Sequence, residues 1–274
     1  MKTIAYYYDG YEDKPIWFDE AVGGLERYYN SYDIDVANLS YKNSETIKNF
    51  INKVGRNWYS MMTSRVLYLS DFLKTDYDMM IVTDMDYVVL RADIDIRKYL
   101  NSDLIIPRCY YCNPNDKSKY LRDKMKFYDS INPGAFDKFV NGSRFIHLSC
   151  DYFVMSRKCC QHMIDFYSAY GWDINNWEKF ADKYLERETD TMIDEGFFGC
   201  YLNYLNDNPT EDIKMDCPSI ERRSNTKISS STWGDYKIDL QKMCSEENIF
   251  HHFGKLSKEA PEELLRLLKL FKKG

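Results

Sequence analysis

Residues 77–93 read Tyr77-Asp78-Met79-Met80-Ile81-Val82-Thr83-Asp84-Met85-Asp86-Tyr87-Val88-Val89-Leu90-Arg91-Ala92-Asp93. Met79 to Thr83 is an unbroken apolar run, the mark of a central parallel strand covered on both faces. It delivers Asp84-Met85-Asp86 at its C-terminal end, where open α/β sheets bind their ligands. Side-chain alternation puts Asp84 and Asp86 on one side and turns Met85 back into the fold. Two carboxylates on one side are hard oxygen ligands suited to Mn²⁺ or Mg²⁺, ions that take further oxygens from substrate phosphates. The plainer reading of the same residues is a solvated turn after a strand.

Upstream of this stretch, Lys2 to Tyr8 is a buried strand ending at Asp9-Gly10, and residues 19–31 have a helical pattern. Ile34 to Leu39 alternates as a second strand, Ser44 to Lys53 is a short helix with Ser44 at its N-cap, and Thr63 to Leu73 has helical spacing. Strand, helix, strand, helix, strand in this order predicts a doubly wound α/β sheet. Downstream, Leu104 to Ile106 is another short strand, and Asn113 to Gly142 is polar and broken by Pro114 and Pro133. That composition suits a surface excursion near a site. Arg144 to Met155 is a long strand or a strand pair, and helices are expected over 157–170, 174–187 and 190–206. Ser219 to Asp235 reads as a loop, Asn248 to Phe253 as a last strand and Pro261 to Lys273 as an amphipathic helix. The expected organisation is one catalytic domain over 1–257 and a C-terminal helix over 258–274, docked on the domain.

Across its 274 residues the chain carries a net charge of −6, which argues against a nucleic-acid duplex as partner because phosphate backbones demand a basic face. No leader or membrane-spanning run is recognisable, so a cytoplasmic protein with at most peripheral membrane contact is expected. Its lean toward Tyr, Asn, Asp, Lys and Ile hints at a viral or low-GC bacterial origin. The 8 cysteines are scattered, and Cys109-x-x-Cys112 lacks a second ligand pair for zinc, so reduced thiols are expected.

Three segments together resemble the GT-A nucleotide-sugar glycosyltransferases, in particular the glycogenin and lipopolysaccharide-galactosyltransferase group. Arg65, in the helical segment Ser64-Arg65-Val66-Leu67-Tyr68-Leu69, precedes the Asp84-Met85-Asp86 strand. Asp194-Glu195-Gly196-Phe197-Phe198 opens a helix. Ile249-Phe250-His251-His252-Phe253-Gly254-Lys255 is similar to a segment of the group that supplies a metal ligand and diphosphate contacts. The resemblance implies a GT-A fold with a doubly wound mixed sheet, a nucleoside-diphosphate-sugar donor held by Mn²⁺ or Mg²⁺, and a hydroxyl acceptor on a glycan, protein or lipid. It implies Asp84, Asp86 and one histidine as metal ligands. His252 keeps the His-Phe pair and the spacing to Lys258, whereas the Gly254 spacing starts from His251.

The resemblance further implies Arg65, Met85, Gly254, Lys255 and Lys258 around the diphosphate, and Asp194 and Glu195 beside the acceptor. Tyr7, Tyr8 and Asp9 end the first strand, where the nucleotide base would lie. A carboxylate inside an apolar strand needs a reason, so Asp151 is expected either to meet the acceptor or to join a buried network. A haloacid-dehalogenase-type phosphatase competes for the same motif, with Asp84 as nucleophile and Gly234-Asp235 and Asp239 as the later acidic motif. Ser229 to Trp233, however, is not the apolar strand such a motif follows. An inactive sugar-binding module is the non-enzymatic alternative.

Overall fold

The structure, a computed structural model, describes residues 1–9, 11, 13–40, 43–107, 109–112, 119–141, 145–187, 194–210, 212–217, 228–231, 248–254 and 256–271. Its first strand, β1 (Thr3–Tyr7), pairs in parallel with β2 (Asp35–Asn38) on one side and with β3 (Met79–Thr83) on the other. The winding therefore reverses at β1, whose two parallel neighbours lie on opposite sides of it, and the crevice at the C-terminal ends of β1 and β3 is a topological switch point. β3 turns into β4 (Tyr87–Val89), which leaves the sheet. Next come β5 (Leu104–Ile105), the paired β6 (Cys109–Cys112) and β7 (Phe145–Leu148), then β8 (Tyr152–Ser156), β9 (Met215–Asp216), β10 (Ser229–Ser231) and β11 (Phe250–His252). The main sheet has the order β2-β1-β3-β8-β5-β9.

Alternation along the strands supplies both faces. Ile4, Tyr6, Met80, Val82 and Met155 face the helices around Ile47, Phe50, Leu69 and Phe72. Ala5, Met79, Ile81 and Val154 face the helix Phe18–Asn30 through Leu25, Tyr28 and Tyr29. The first connection thus covers one face and the second covers the other, as the α/β reading requires. β3 is fully buried as expected, but only β1 runs parallel to it; β8 is antiparallel, which makes the sheet mixed.

A second, three-stranded sheet, β10-β11-β4, carries the C-terminal strand to the end of β3. β11 runs antiparallel to β4 with His252 opposite Tyr87 and His251 opposite Val88. The helix Pro261–Phe271 then buries Leu264, Leu267 and Leu268 against Trp17, Phe18, Val22, Met85 and Phe253. Spacing of three and four residues aligns these leucines on one face, so the tail braces the back of the Asp84–Asp86 bend. Among the described residues no helix is long and apolar enough to cross a membrane.

Four sequence readings are corrected. The segment read as a surface excursion contains the helices Lys119–Ile131 and Ala135–Val140, and Leu121, Met125, Tyr128, Ile131 and Phe139 are buried in the main core. The region read as a loop holds β10, which adds to β11. The cysteines are not all thiols: Cys109 is bonded to Cys217, with Cα atoms 6.7 Å apart, because β6 leaves β5 beside the end of β9. Thr63–Leu73 is helical but not one helix: a helix over Trp58–Ser64, started by the Asn57–Ser60 capping box, tightens into a 3₁₀ turn at Arg65–Leu67 before Tyr68–Leu73. Gly10, Lys255, Gly234, Asp235 and Asp239 lie outside the described residues.

Candidate metal centre

At Thr83 the β3 ladder ends, and the Asp84 amide donates to the Asp151 carbonyl (2.8 Å) in the turn before β8. The chain bends through Met85, whose side chain is buried among Trp17, Phe18 and Val88, so Asp84 and Asp86 emerge on the other side. β11 brings His252 to them. Its Nε2 lies 3.1 Å from Asp86 Oδ1, and Phe253 N–H donates to the Asp86 carbonyl (3.0 Å). Asp84, Asp86 and His252 each offer one ligand atom, all within 4.8 Å of one another. Two carboxylates and an imidazole are a donor set that Mn²⁺ accepts.

Each ligand is held by its neighbours. The Ser257 hydroxyl is 2.8 Å from Asp86 Oδ2 and from the Gly254 carbonyl, and Trp17 Nε1–H donates to the Ser257 carbonyl (3.1 Å). His252 Nδ1 is 3.0 Å from Asp151 Oδ2, and its ring stacks on Tyr87 at 4.9 Å. A Cβ on residue 254 would come within 2.7 Å of His252 Cε1, so glycine is what lets the ring sit there.

The electrostatics follow from burial. Burial alone would depress the His252 pKa, but Asp86 and then Asp151 outweigh it and push it up to about 10. Burial works against ionised Asp86 too, yet the imidazole and the Ser257 hydroxyl hold its carboxyl below the ordinary range. Asp84 is driven up to about 6 by burial, with Arg65 opposing and Asp86 adding to the rise. A cation on the cluster would replace the Nε2 proton of His252 and offset the crowded carboxylates.

A second cluster adjoins the first. Arg65, buried in the 3₁₀ turn, has Nη2 3.0 Å from Asp84 Oδ1 and donates to the Cys150 carbonyl (2.8 Å). Its Nη1 is 3.1 Å from Oδ2 of Asp194, the first residue of the helix Asp194–Asp207. Asp194 Oδ1 accepts from the Glu195 amide (2.8 Å), and burial pushes its carboxyl up to about 7 against the pull of Arg65. Glu195 is more open and receives Lys124 Nζ at 2.7 Å, with His147 Nδ1 3.3 Å from the same ammonium.

Among the other expected residues, Asp9 is buried at the end of β1 and accepts from the Tyr11 amide (3.2 Å). Tyr7 is half-buried beside the Trp17–Met85 cluster. Tyr8 is buried beneath Arg65 and donates its hydroxyl to the Met61 carbonyl (3.0 Å). His251 is buried with its ring edge-on to Phe253, and the ligand cluster contains His252 instead. Lys258 is exposed on the short helix Leu256–Glu259.

Sequence reasoning missed Ser257, Tyr87, Tyr11 and Lys124. Burial, and then the charges of Asp86, Asp84 and Asp9, raise the pKa of the Tyr11 hydroxyl. Only Tyr87, inside the acidic motif, carried a sequence signal.

No protein-family profile matches the sequence, and no curated protein does. The chain is similar in structure to a glycosyltransferase involved in glycosylation of the major capsid of PBCV-1, at 6% identity over 98% of this chain and 100% of that one, with a TM-score of 0.47. It is similar to the galactosyltransferase LgtC in complex with donor and acceptor sugar analogues, at 9% identity over 98% and 95% of the two chains, TM-score 0.48. Mouse xyloside xylosyltransferase 1 gives 10% identity over 93% and 97%, TM-score 0.45.

Proposed function

We propose that this protein is a metal-dependent glycosyltransferase of the GT-A type, moving a sugar from a nucleoside-diphosphate donor to a hydroxyl acceptor on a glycan, protein or lipid. The observation that carries the reading is the convergence of Asp84, Asp86 and His252 beside the switch point of the sheet. Asp84, Asp86 and His252 would hold Mn²⁺ or Mg²⁺. Bound there, the ion would act as a Lewis acid that neutralises charge on the departing diphosphate.

The remaining work falls to the chain. Arg65 keeps Asp84 oriented by occupying one of its oxygens. Asp9 and the half-buried Tyr7 stand at the end of β1, where they would receive the nucleotide base. Tyr8, Met85 and Gly254 back the donor site, and Lys258 would add positive charge to its rim; Lys255 lies outside the described residues. Glu195, charge-paired with Lys124, would orient the acceptor hydroxyl and take its proton, a general-base role. Asp194 fixes the start of that helix against Arg65.

The test is to incubate the protein with Mn²⁺ and a panel of nucleotide sugars and measure nucleoside-diphosphate release. Release that requires the metal and is lost in Asp86→Asn supports the reading. Hydrolysis of a phosphomonoester with a trapped aspartyl-phosphate at Asp84 would replace it with a phosphatase.

A further inference from the structure

A histidine that binds a metal must present one nitrogen to the ion, and proteins commonly arrange this by tying the other nitrogen to a carboxylate or carbonyl. His252 has both halves of that arrangement: Nε2 faces Asp86 and Nδ1 faces Asp151 at 3.0 Å. The two nitrogens of an imidazole point apart, so the carboxylate at Nδ1 does not share an ion reached through Nε2. Asp151 accordingly stands outside the ligand cluster.

We propose that Asp151 is a positioning residue of the metal centre, fixing the His252 ring so that Nε2 is directed at Asp84 and Asp86. This inference rests on the metal reading above. Asp151 is itself fixed: Tyr87 donates its hydroxyl to the same Oδ2 (2.9 Å), while the Tyr87 ring stacks on the imidazole. The ring edge lies against Gly254, where no side chain fits. The Asp151 carbonyl anchors the Asp84 amide, and the preceding Cys150 carbonyl anchors Arg65. One short turn thus sets a metal-binding carboxylate, its arginine partner and the histidine. Burying a carboxylate is costly, and a buried ion pair gives little net stability over apolar residues of the same shape. Asp151 is 4% exposed, so orientation of the ring is the return that accounts for its place.

The experiment is Mn²⁺ titration of the full chain by calorimetry, for wild type, Asp151→Ala, Asp151→Asn and Tyr87→Phe, alongside ¹⁵N NMR of His252 with Zn²⁺ bound. Asp151→Ala is expected to raise the Mn²⁺ Kd by about 10- to 100-fold. Asp151→Asn, whose amide oxygen still accepts from Nδ1–H, is expected to recover most of that loss, and Tyr87→Phe to weaken binding by less than the alanine change. In the wild-type spectrum Nδ1 is expected to keep its proton while Nε2 carries the metal. Unchanged Mn²⁺ affinity in Asp151→Ala would overturn the inference while leaving the metal reading standing. Should that variant not fold, a spectrum in which Nδ1 is the bound nitrogen would overturn it equally. Wild-type protein that binds no Mn²⁺ would overturn the metal reading itself.

Discussion

Arg65 Nη1 lies 3.1 Å from Asp194 Oδ2, while the other arm of the same guanidinium lies 3.0 Å from Asp84 Oδ1. One buried cation therefore serves two carboxylates, the half-buried Asp84 on the metal side and the buried Asp194 on the acceptor side of the proposed site. A single positive charge cannot fully offset two negative ones in a low dielectric, and burial drives Asp194 up to about 7 and Asp84 up to about 6.

Removing the shared cation should be severe. Arg65→Met keeps the packed stem but leaves both carboxylates uncompensated, a loss of about 3–5 kcal/mol. Urea unfolding checks this. Arg65→Lys keeps the charge without the fork, so it should be intermediate in stability yet still impaired in turnover. Near-normal stability of the methionine variant would mean that the bridge is incidental.

The pH dependence has a definite sign. The folded-state pKa of Asp194 lies above its ordinary value, with burial the leading cause. Its contribution to stability is fully present below the ordinary carboxylate range and is lost as pH rises through about 7. The melting temperature of metal-free wild type relative to Asp194→Asn should therefore fall between about pH 4 and about pH 8. A difference that grows with pH would show that Arg65 outweighs burial.

What could be read in the sequence was local. The apolar run Met79–Thr83, the two aspartates after it and the histidine pair near the C-terminus are patterns of a few neighbouring residues, and β3, the bend and β11 stand where they imply. What brings them together is not local. β4 has three residues, too few for periodicity, yet its register sets Tyr87 against His252 and so chooses between the two histidines. Arg65 was visible as a charge in an apolar helix, but its partner Asp194 lies far along the chain. The helix Lys119–Ile131 did carry a signal, since Leu121, Met125, Tyr128 and Ile131 recur at helical spacing. Pro114, Pro133 and the polar composition masked it. The Cys109–Cys217 bond depends on where β6 passes β9, which spacing does not encode.

Gly254→Ala tests how closely the ring is held. Its Cβ would sit 2.7 Å from His252 Cε1, and the ring is engaged at both nitrogens, so it cannot give way freely. Overpacking should cost about 1–3 kcal/mol of stability. Metal affinity should fall by about 10-fold. Mn²⁺ calorimetry and thermal melting separate the two effects, and unchanged affinity would mean that the ring has room to move.

Glu195→Gln should lower the rate of sugar transfer by about 100-fold or more while donor KM stays within a few-fold, because a group acting on the acceptor hydroxyl contributes in the transition state. Steady-state kinetics with varied donor and acceptor checks this. Equal losses in donor affinity and rate would mark Glu195 as part of the frame around Lys124 instead.

In the proposed site Asp84, Asp86 and His252 hold one divalent ion that also binds the donor diphosphate. Anomalous scattering from crystals soaked with Mn²⁺ and a nucleoside diphosphate measures this directly. One manganese peak is expected, bonded to Asp84, Asp86, His252 Nε2 and phosphate oxygens, with the nucleoside extending toward Asp9. A peak elsewhere, or one at these residues with the nucleotide bound at a different place, would contradict it.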